Sequence, residues 1–204
     1  MARLLTRVRR LLRGLRRPSP AANARRLRER GEDARAFVIR EATLADIPAL
    51  ARVHVVAWND TYPGVRSPPT VELRERQWRE KLASAPRPWF CYLVARPDGE
   101  IVGFAQGNGY AHADQPDFAG ELNKIYLLRG YQRLGLGRRL MGHVARRFLA
   151  DGVPSMLLFA DAGNPSCRFY EALGGEGLRE PDGGTSECNF GWKDLRRLAE
   201  VCPE

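Results

Sequence analysis

From about Phe37 onward, short apolar runs alternate with longer amphipathic stretches, and the two spacings separate strands from helices. "AFVIREAT" reads as a strand. In "LADIPALARVHVVAWNDTY" the positions Ile47, Leu50, Val53, Val56 and Ala57 recur at helical spacing, and Thr43 and Asp46 stand where a cap is needed. "RSPPTVELRERQWREKLAS" predicts a second, more polar helix beyond a proline pair. Two apolar runs in "PWFCYLVARPDGEIVGFAQGNG" flank Pro97, Asp98 and Gly99, the pattern of a hairpin. "GELNKIYLL" predicts a strand. "RLGLGRRLMGHVARRFLADG" predicts a helix with Leu140, Val144, Phe148 and Leu149 turned inward and Gly152 as its stop. "SMLLFADA", "NPSCRFYEALGG" and "SECNFGWKDL" follow as strand, short helix and last strand. The order β-α-α-β-β-β-α-β-α-β describes a mixed α/β sheet.

Ahead of this body, "MARLLTRVRRLLRGLRRPSP" sets Leu4, Leu5, Val8, Leu11, Leu12 and Leu15 on one stripe among Arg3, Arg7, Arg9, Arg10, Arg13 and Arg16. It predicts a basic amphipathic helix, too short and too charged to span a bilayer or to act as a signal-peptide core. "RPSPAANARR" reads as a linker. The expected division is therefore residues 1–36 as a flexible arm and linker, and 37–204 as one folded domain. The formal charge of +9 on 204 residues follows this division. Residues 1–36 hold 12 arginines against Glu29, Glu32 and Asp33, whereas the remainder balances 21 basic against 21 acidic residues. The basicity thus says nothing about what the body binds. For the arm, docking to an anionic membrane surface, a nucleic-acid contact, a transit peptide and a plain solvated tail all stay open.

Cys91, Cys167, Cys188 and Cys202 show no C-x-x-C pair, and His54, His112 and His143 lack metal-ligand spacing. No metal is expected. Thiols that stay reduced, without a disulfide framework, fit a cytoplasmic protein.

The chemistry concentrates in "ELNKIYLLRGYQRLGLGRRLM", where an apolar strand runs into Gly135 and Gly137 and then into an arginine-rich helix. A helix N-terminus presents unpaired N–H groups and partial positive charge, so bare backbone there suits a phosphate or pyrophosphate. A β-carbon at either glycine is expected to stand in the way. The P-loop Lys-Ser/Thr pair and the third glycine of a dinucleotide turn are both absent.

"YQRLGLGRRLM" after "IYLL" resembles the acetyl-CoA signature of the GNAT N-acyltransferases, Q/R-x-x-G-x-G/A. "NPSCRFYEALGG" is similar to that family's Asn-Pro…Phe-Tyr-Glu…Leu-Gly segment. "VIREATLADIPALARVHVVAWNDTYPG" and "CNFGWKDL" resemble the first strand and helix and the last strand, so the likeness spans roughly residues 37–198. It implies a mostly antiparallel mixed sheet, flanked by helices, whose two central parallel strands splay apart to admit acyl-CoA. It also implies that main-chain groups of Gln132, Arg133, Leu134, Gly135, Leu136, Gly137 and Arg138 hold the pyrophosphate. The main chain near Leu127 would pair with the pantetheine arm, and Asn164 would meet that arm from the other side or cap its own helix.

The expected reaction moves acetyl from acetyl-CoA to a primary amine in a ternary complex; a CoA-binding module without turnover is the alternative. Glu121 is the expected base, direct or through water, unless it is only an exposed strand-end glutamate. Tyr170 matches the family tyrosine that protonates the departing sulfur, or is a core aromatic beside Phe169. Cys167 reads as packing. Acceptor walls are expected from the segment with Trp58, Asp60 and Tyr62, and from the loop with His112, Asp114 and Asp117, whose acids would attract a cationic amine. A small-molecule or peptide amine is the expected partner. Oligomeric state is not legible.

Overall fold

The computed structural model describes residues 19–84, 89–161, 164–179 and 185–203; the amphipathic stretch expected over residues 3–16 lies outside them. The strands are β1 (Val38–Glu41), β2 (Trp89–Ala95), β3 (Ile101–Gly109), β4 (Gly120–Leu127), β5 (Met156–Leu158), β6 (Glu176–Arg179) and β7 (Thr185–Trp192). They join in one sheet in the order β1-β2-β3-β4-β5-β7-β6. Every adjacent pair is antiparallel except β4 and β5, which run parallel. The helices are α1 (Pro20–Glu29), α2 (Ile47–Thr61), α3 (Val71–Ala83), α4 (Leu136–Ala150), α5 (Cys167–Glu171) and α6 (Leu195–Val201).

The sheet has an apolar core on each face. Ile47, Leu50, Val53, Trp78 and Leu82 of α2 and α3 close over Leu93 and Phe104 on one side. Leu140, Val144 and Phe148 of α4 pack with Phe90, Val102 and Leu122 on the other. Inward positions on α2 are Ile47, Leu50, Ala51, Val53, His54 and Ala57, while Val56 is 50% exposed. Val56 follows Ile47 by nine residues, about half a turn out of phase at 3.6 residues per turn, so the expected inward position falls to buried His54. Trp78 Nε1 donates to His54 Nδ1 at 3.3 Å. Burial, then Arg74 and Lys124, lowers the His54 pKa to about 3, so this core histidine is neutral.

The stretch read as a linker is instead α1. Pro20 occupies a first-turn position where a missing N–H costs nothing. Asn23 and Leu27, one turn apart, are buried against the body. Arg139 of α4 donates to the carbonyls of Ala34 and Phe37, and Arg96 pairs with Glu32 at 2.9 Å, so residues 20–37 lie along the domain. Two further elements went unread: four-residue β6, and α6 behind the Asp194 cap.

Cys167 and Cys188 form a disulfide, with Cα atoms 5.2 Å apart, that ties the start of α5 to β7; Cys91 and Cys202 are free and buried. This corrects the expectation of reduced thiols and of Cys167 as packing, because strand pairing brings together cysteines that lie 21 residues apart in the chain. Closing a loop of that length stabilises a fold by about 3 kcal/mol. Reduction with dithiothreitol should therefore lower the melting temperature by roughly 6–12 °C, and Cys188→Ser should make the protein insensitive to the reductant.

Candidate active site

The parallel pair is short. Gly120 aligns with Met156 and Glu121 with Leu157, and there the β4–β5 register ends, although β4 continues to Leu127. Leu128 N–H donates to Val102 O, so strand alternation turns the main-chain groups of Ile125 and Leu127 away from β3, toward the gap. Leu127 O accepts from Gln132 Nε2 at 3.0 Å. The gap opens into a cleft of about 760 Å³, walled by Leu122–Leu127 on one side and by Leu158, Phe159, Ala160, Asn164, Phe169 and Tyr170 on the other.

At its mouth lies the glycine turn. Gly135 has φ +85° and ends the turn ahead of α4, and Arg133 also has a left-handed φ of 64°. An added β-carbon at Gly135 would meet no protein atom within 4 Å, and the backbone angle by itself favours glycine there. At Gly137 a β-carbon would come within 3.3 Å of Phe169 and 3.6 Å of Leu127, the two walls of the cleft. Arg139 N–H makes the first bond of this helix, to Gly135 O, which leaves the N–H groups of Leu136, Gly137 and Arg138 available to an anion. Gln132, Arg133, Gly135, Gly137 and Arg138 line the cleft. Leu136 is buried in the core and Leu134 packs against it, so those two offer backbone alone.

The turn is clamped from behind. Asn23 of α1, wholly buried, donates from Nδ2 to Arg129 O at 3.0 Å and to Gln132 O at 2.8 Å. No reading of the sequence singled it out. Asn23→Ala removes the donor that serves both half-buried carbonyls, a loss of about 2 kcal/mol. It should lower the melting temperature by roughly 4–8 °C and weaken retention of a ligand held by the turn, as calorimetry would show.

Three tyrosines gather deeper in the cleft. Burial, then Tyr126 and Tyr62, drives the Tyr170 hydroxyl well above the ordinary phenol range. It therefore stays protonated. Tyr62 is raised likewise, first by burial, and its hydroxyl lies against Asp161 and Asn164 across the gap. Asn164 lines the cleft, and its Oδ1 accepts from Ser166 N–H in the turn just ahead of α5, whose N-cap is Ser166. Trp58 stacks on Tyr62 at 5.2 Å but does not reach the lining, whereas Asp60 does.

Glu121 sits just beyond the lining, where the strands still pair. Its Oε1 accepts from Asn123 Nδ2 at 2.9 Å and its Oε2 from Asn108 Nδ2 at 3.3 Å. Asn123, which lines the cleft, also accepts from Lys124 Nζ, and Asn108 accepts from Lys81 Nζ at 3.2 Å and Gln106 Nε2 at 2.7 Å. Asn123 is the residue that a β-bulge inserts in β4, because Leu122 aligns with Gly107 and Lys124 with Gln106. The acidic loop lies outside the cleft: Asp114 accepts from Tyr110 Oη at 3.0 Å, and Asp117 pairs with Lys193 at 2.9 Å. No group of three or more metal-ligating side chains occurs among the described residues.

Residues 53–175, more than half of the chain, match the model of the "Acetyltransferase (GNAT) family". The chain belongs to the GNAT acetyltransferase family. It is 34% identical over 167 residues to the uncharacterized N-acetyltransferase YuaI of Bacillus subtilis, covering 78% of this chain and 95% of YuaI. It is 30% identical over 139 residues to the phosphinothricin N-acetyltransferase of Streptomyces viridochromogenes, covering 67% of this chain and 72% of that enzyme. In fold it is similar to the PaiA N-acetyltransferase of Thermoplasma acidophilum, a structure in complex with coenzyme A. That match has a TM-score of 0.62 at 18% identity and covers 76% of this chain and 97% of that one. As a GNAT member the protein is an acetyl-CoA-dependent N-acetyltransferase. The co-substrate fits this GNAT cleft on structural grounds: free amides at the α4 N-terminus for the pyrophosphate, and an unpaired β4 edge for the amide-rich arm. Among the described residues no helix is long and apolar enough to cross a membrane.

Proposed function

We propose that the protein moves an acetyl group directly to a primary amine seated where β4 and β5 diverge, with Glu121 as the base and Tyr170 as the acid. Acetyl-CoA supplies the acetyl group as a thioester. The amides of Leu136, Gly137 and Arg138 hold its pyrophosphate, with Arg133 and Arg138 adding charge at the mouth. The Leu127 N–H, turned into the gap, pairs with the arm and polarises the carbonyl. Asn164 orients the arm from the opposite wall.

An amine of pKa ~10.4 loses its proton at pH 7 at a cost of about 4.6 kcal/mol, against about 1.4 for an α-amino group near 8. Glu121 takes that proton through a water beside Asn123, since both of its oxygens are already engaged by side-chain amides. Tyr170 Oη, kept protonated by burial, hydrogen-bonds the leaving sulfur and passes it a proton as negative charge develops there.

The observation that carries this reading is the conjunction of the β4–β5 split with helix-terminal amides at one end and the Glu121 network at the other. The test is thiol release from acetyl-CoA across a panel of amines, with Tyr170→Phe as the control. Amine-dependent release that falls about 10²–10⁴-fold in the variant supports it. Amine-independent release, or an unaffected variant, refutes the assigned roles.

A further inference from the structure

The inner stripe of α3 carries an arrangement that acetyl-CoA binding does not use. Arg74 and Lys81, seven residues apart, flank buried Trp78 on the face turned toward the sheet, and Lys124 of β4 lies beside them. All three are half-buried. None of the ion pairs among the described residues includes them. Glu121 acts on the two lysines through space while its own oxygens bond to Asn108 and Asn123. Arg74 Nε is buried with no acceptor. Burial, then Lys81 and Arg74, brings Lys124 down to about 8, which still leaves it charged at neutral pH.

Three half-buried cations that share one carboxylate, none of them in an ion pair among the described residues, leave excess positive charge away from water, which is costly. Lys124 lines the cleft, so the missing counter-charge can enter from there. Residue choice points the same way: of 33 basic residues only Lys81, Lys124 and Lys193 are lysine, and two of the three meet at this point.

We infer that the acceptor is an acidic amine, whose carboxylate or phosphonate group sits against Lys124 with Arg74 and Lys81 behind it. This rests on the acetyl-transfer reading above. It reverses the charge expected from Asp114 and Asp117, whose carboxylates are engaged on the surface.

The test uses matched acceptors with the full chain: glycine, leucine and phenylalanine against their carboxamides, 2-aminoethylphosphonate against ethanolamine, and spermidine as a polycation. The acid of an accepted pair should exceed its neutral partner about tenfold or more in kcat/KM and should raise the melting temperature of the CoA-saturated protein further. Lys124→Met should erase the preference, and Lys124→Arg should retain it. Without ligand, Lys124→Met should melt a few degrees higher, because it relieves like-charge repulsion; a purely structural lysine would give the opposite sign. Preference for the carboxamides, for ethanolamine or for spermidine overturns the inference, as does a panel in which no acid is acetylated or protective. If acetyl-CoA itself fails to shift the melting temperature, the cofactor reading fails instead.

Discussion

Gly137→Val is expected to abolish the stabilisation that acetyl-CoA confers, while the ligand-free protein still folds. At about 100 times its dissociation constant, a ligand adds about 2.7 kcal/mol to stability, a shift of roughly 5–11 °C for a chain of this size. A β-carbon at position 137 already comes within 3.3 Å of Phe169 and 3.6 Å of Leu127, so the two further methyls of valine fill the gap between the walls. Phe169 is only half-buried and can turn aside, which is why the fold should survive the change. Thermal scans with and without acetyl-CoA check this. A variant that melts normally and keeps the full ligand shift would place the binding site elsewhere. Gly135→Ala is a useful contrast, because it strains the backbone at φ +85° without pressing on either wall of the cleft.

Glu121→Gln is expected to lower kcat about 10²–10⁴-fold at pH 7 with an alkyl amine and to leave the acetyl-CoA shift intact. Glutamine preserves size and keeps one acceptor oxygen for the asparagine pair, but it gives up one of the two bonds along with the basic carboxylate, so the pH dependence decides which loss matters. The defect should narrow as pH rises, because the neutral fraction of the amine grows about tenfold per unit below its own pKa. Rate–pH profiles of the two proteins should therefore converge in alkali. A constant gap at every pH would make Glu121 an organiser of the asparagine network rather than the base.

The strands and helices that carry the cleft were legible because their signals are local. The hairpin turn at Pro97–Gly99, the Thr43–Asp46 cap and the glycine turn each rest on a few adjacent residues. Val56 was misplaced because it lies among apolar neighbours, and only the angular count puts it on the outer face. Helix α1 was hidden because Pro18 and Pro20 in the sequence read as a linker, and its tie to the cofactor turn runs through Asn23, more than 100 residues from its partners. The disulfide and the cationic cluster share that difficulty. Cys188 reaches Cys167, and Lys124 reaches Arg74 and Lys81, only after the sheet has formed. The scarcity of lysine was the one trace of the cluster visible in the chain.

The most direct test of acetyl-CoA seated between β4 and β5 is amide hydrogen exchange of the full chain with and without it. The account predicts slowed exchange at Ile125 and Leu127, in the first turn of α4 from Leu136 to Arg138, and around Asn164, with little change on β1 and β6. Unchanged exchange along β4 and the start of α4, with protection elsewhere, would contradict it.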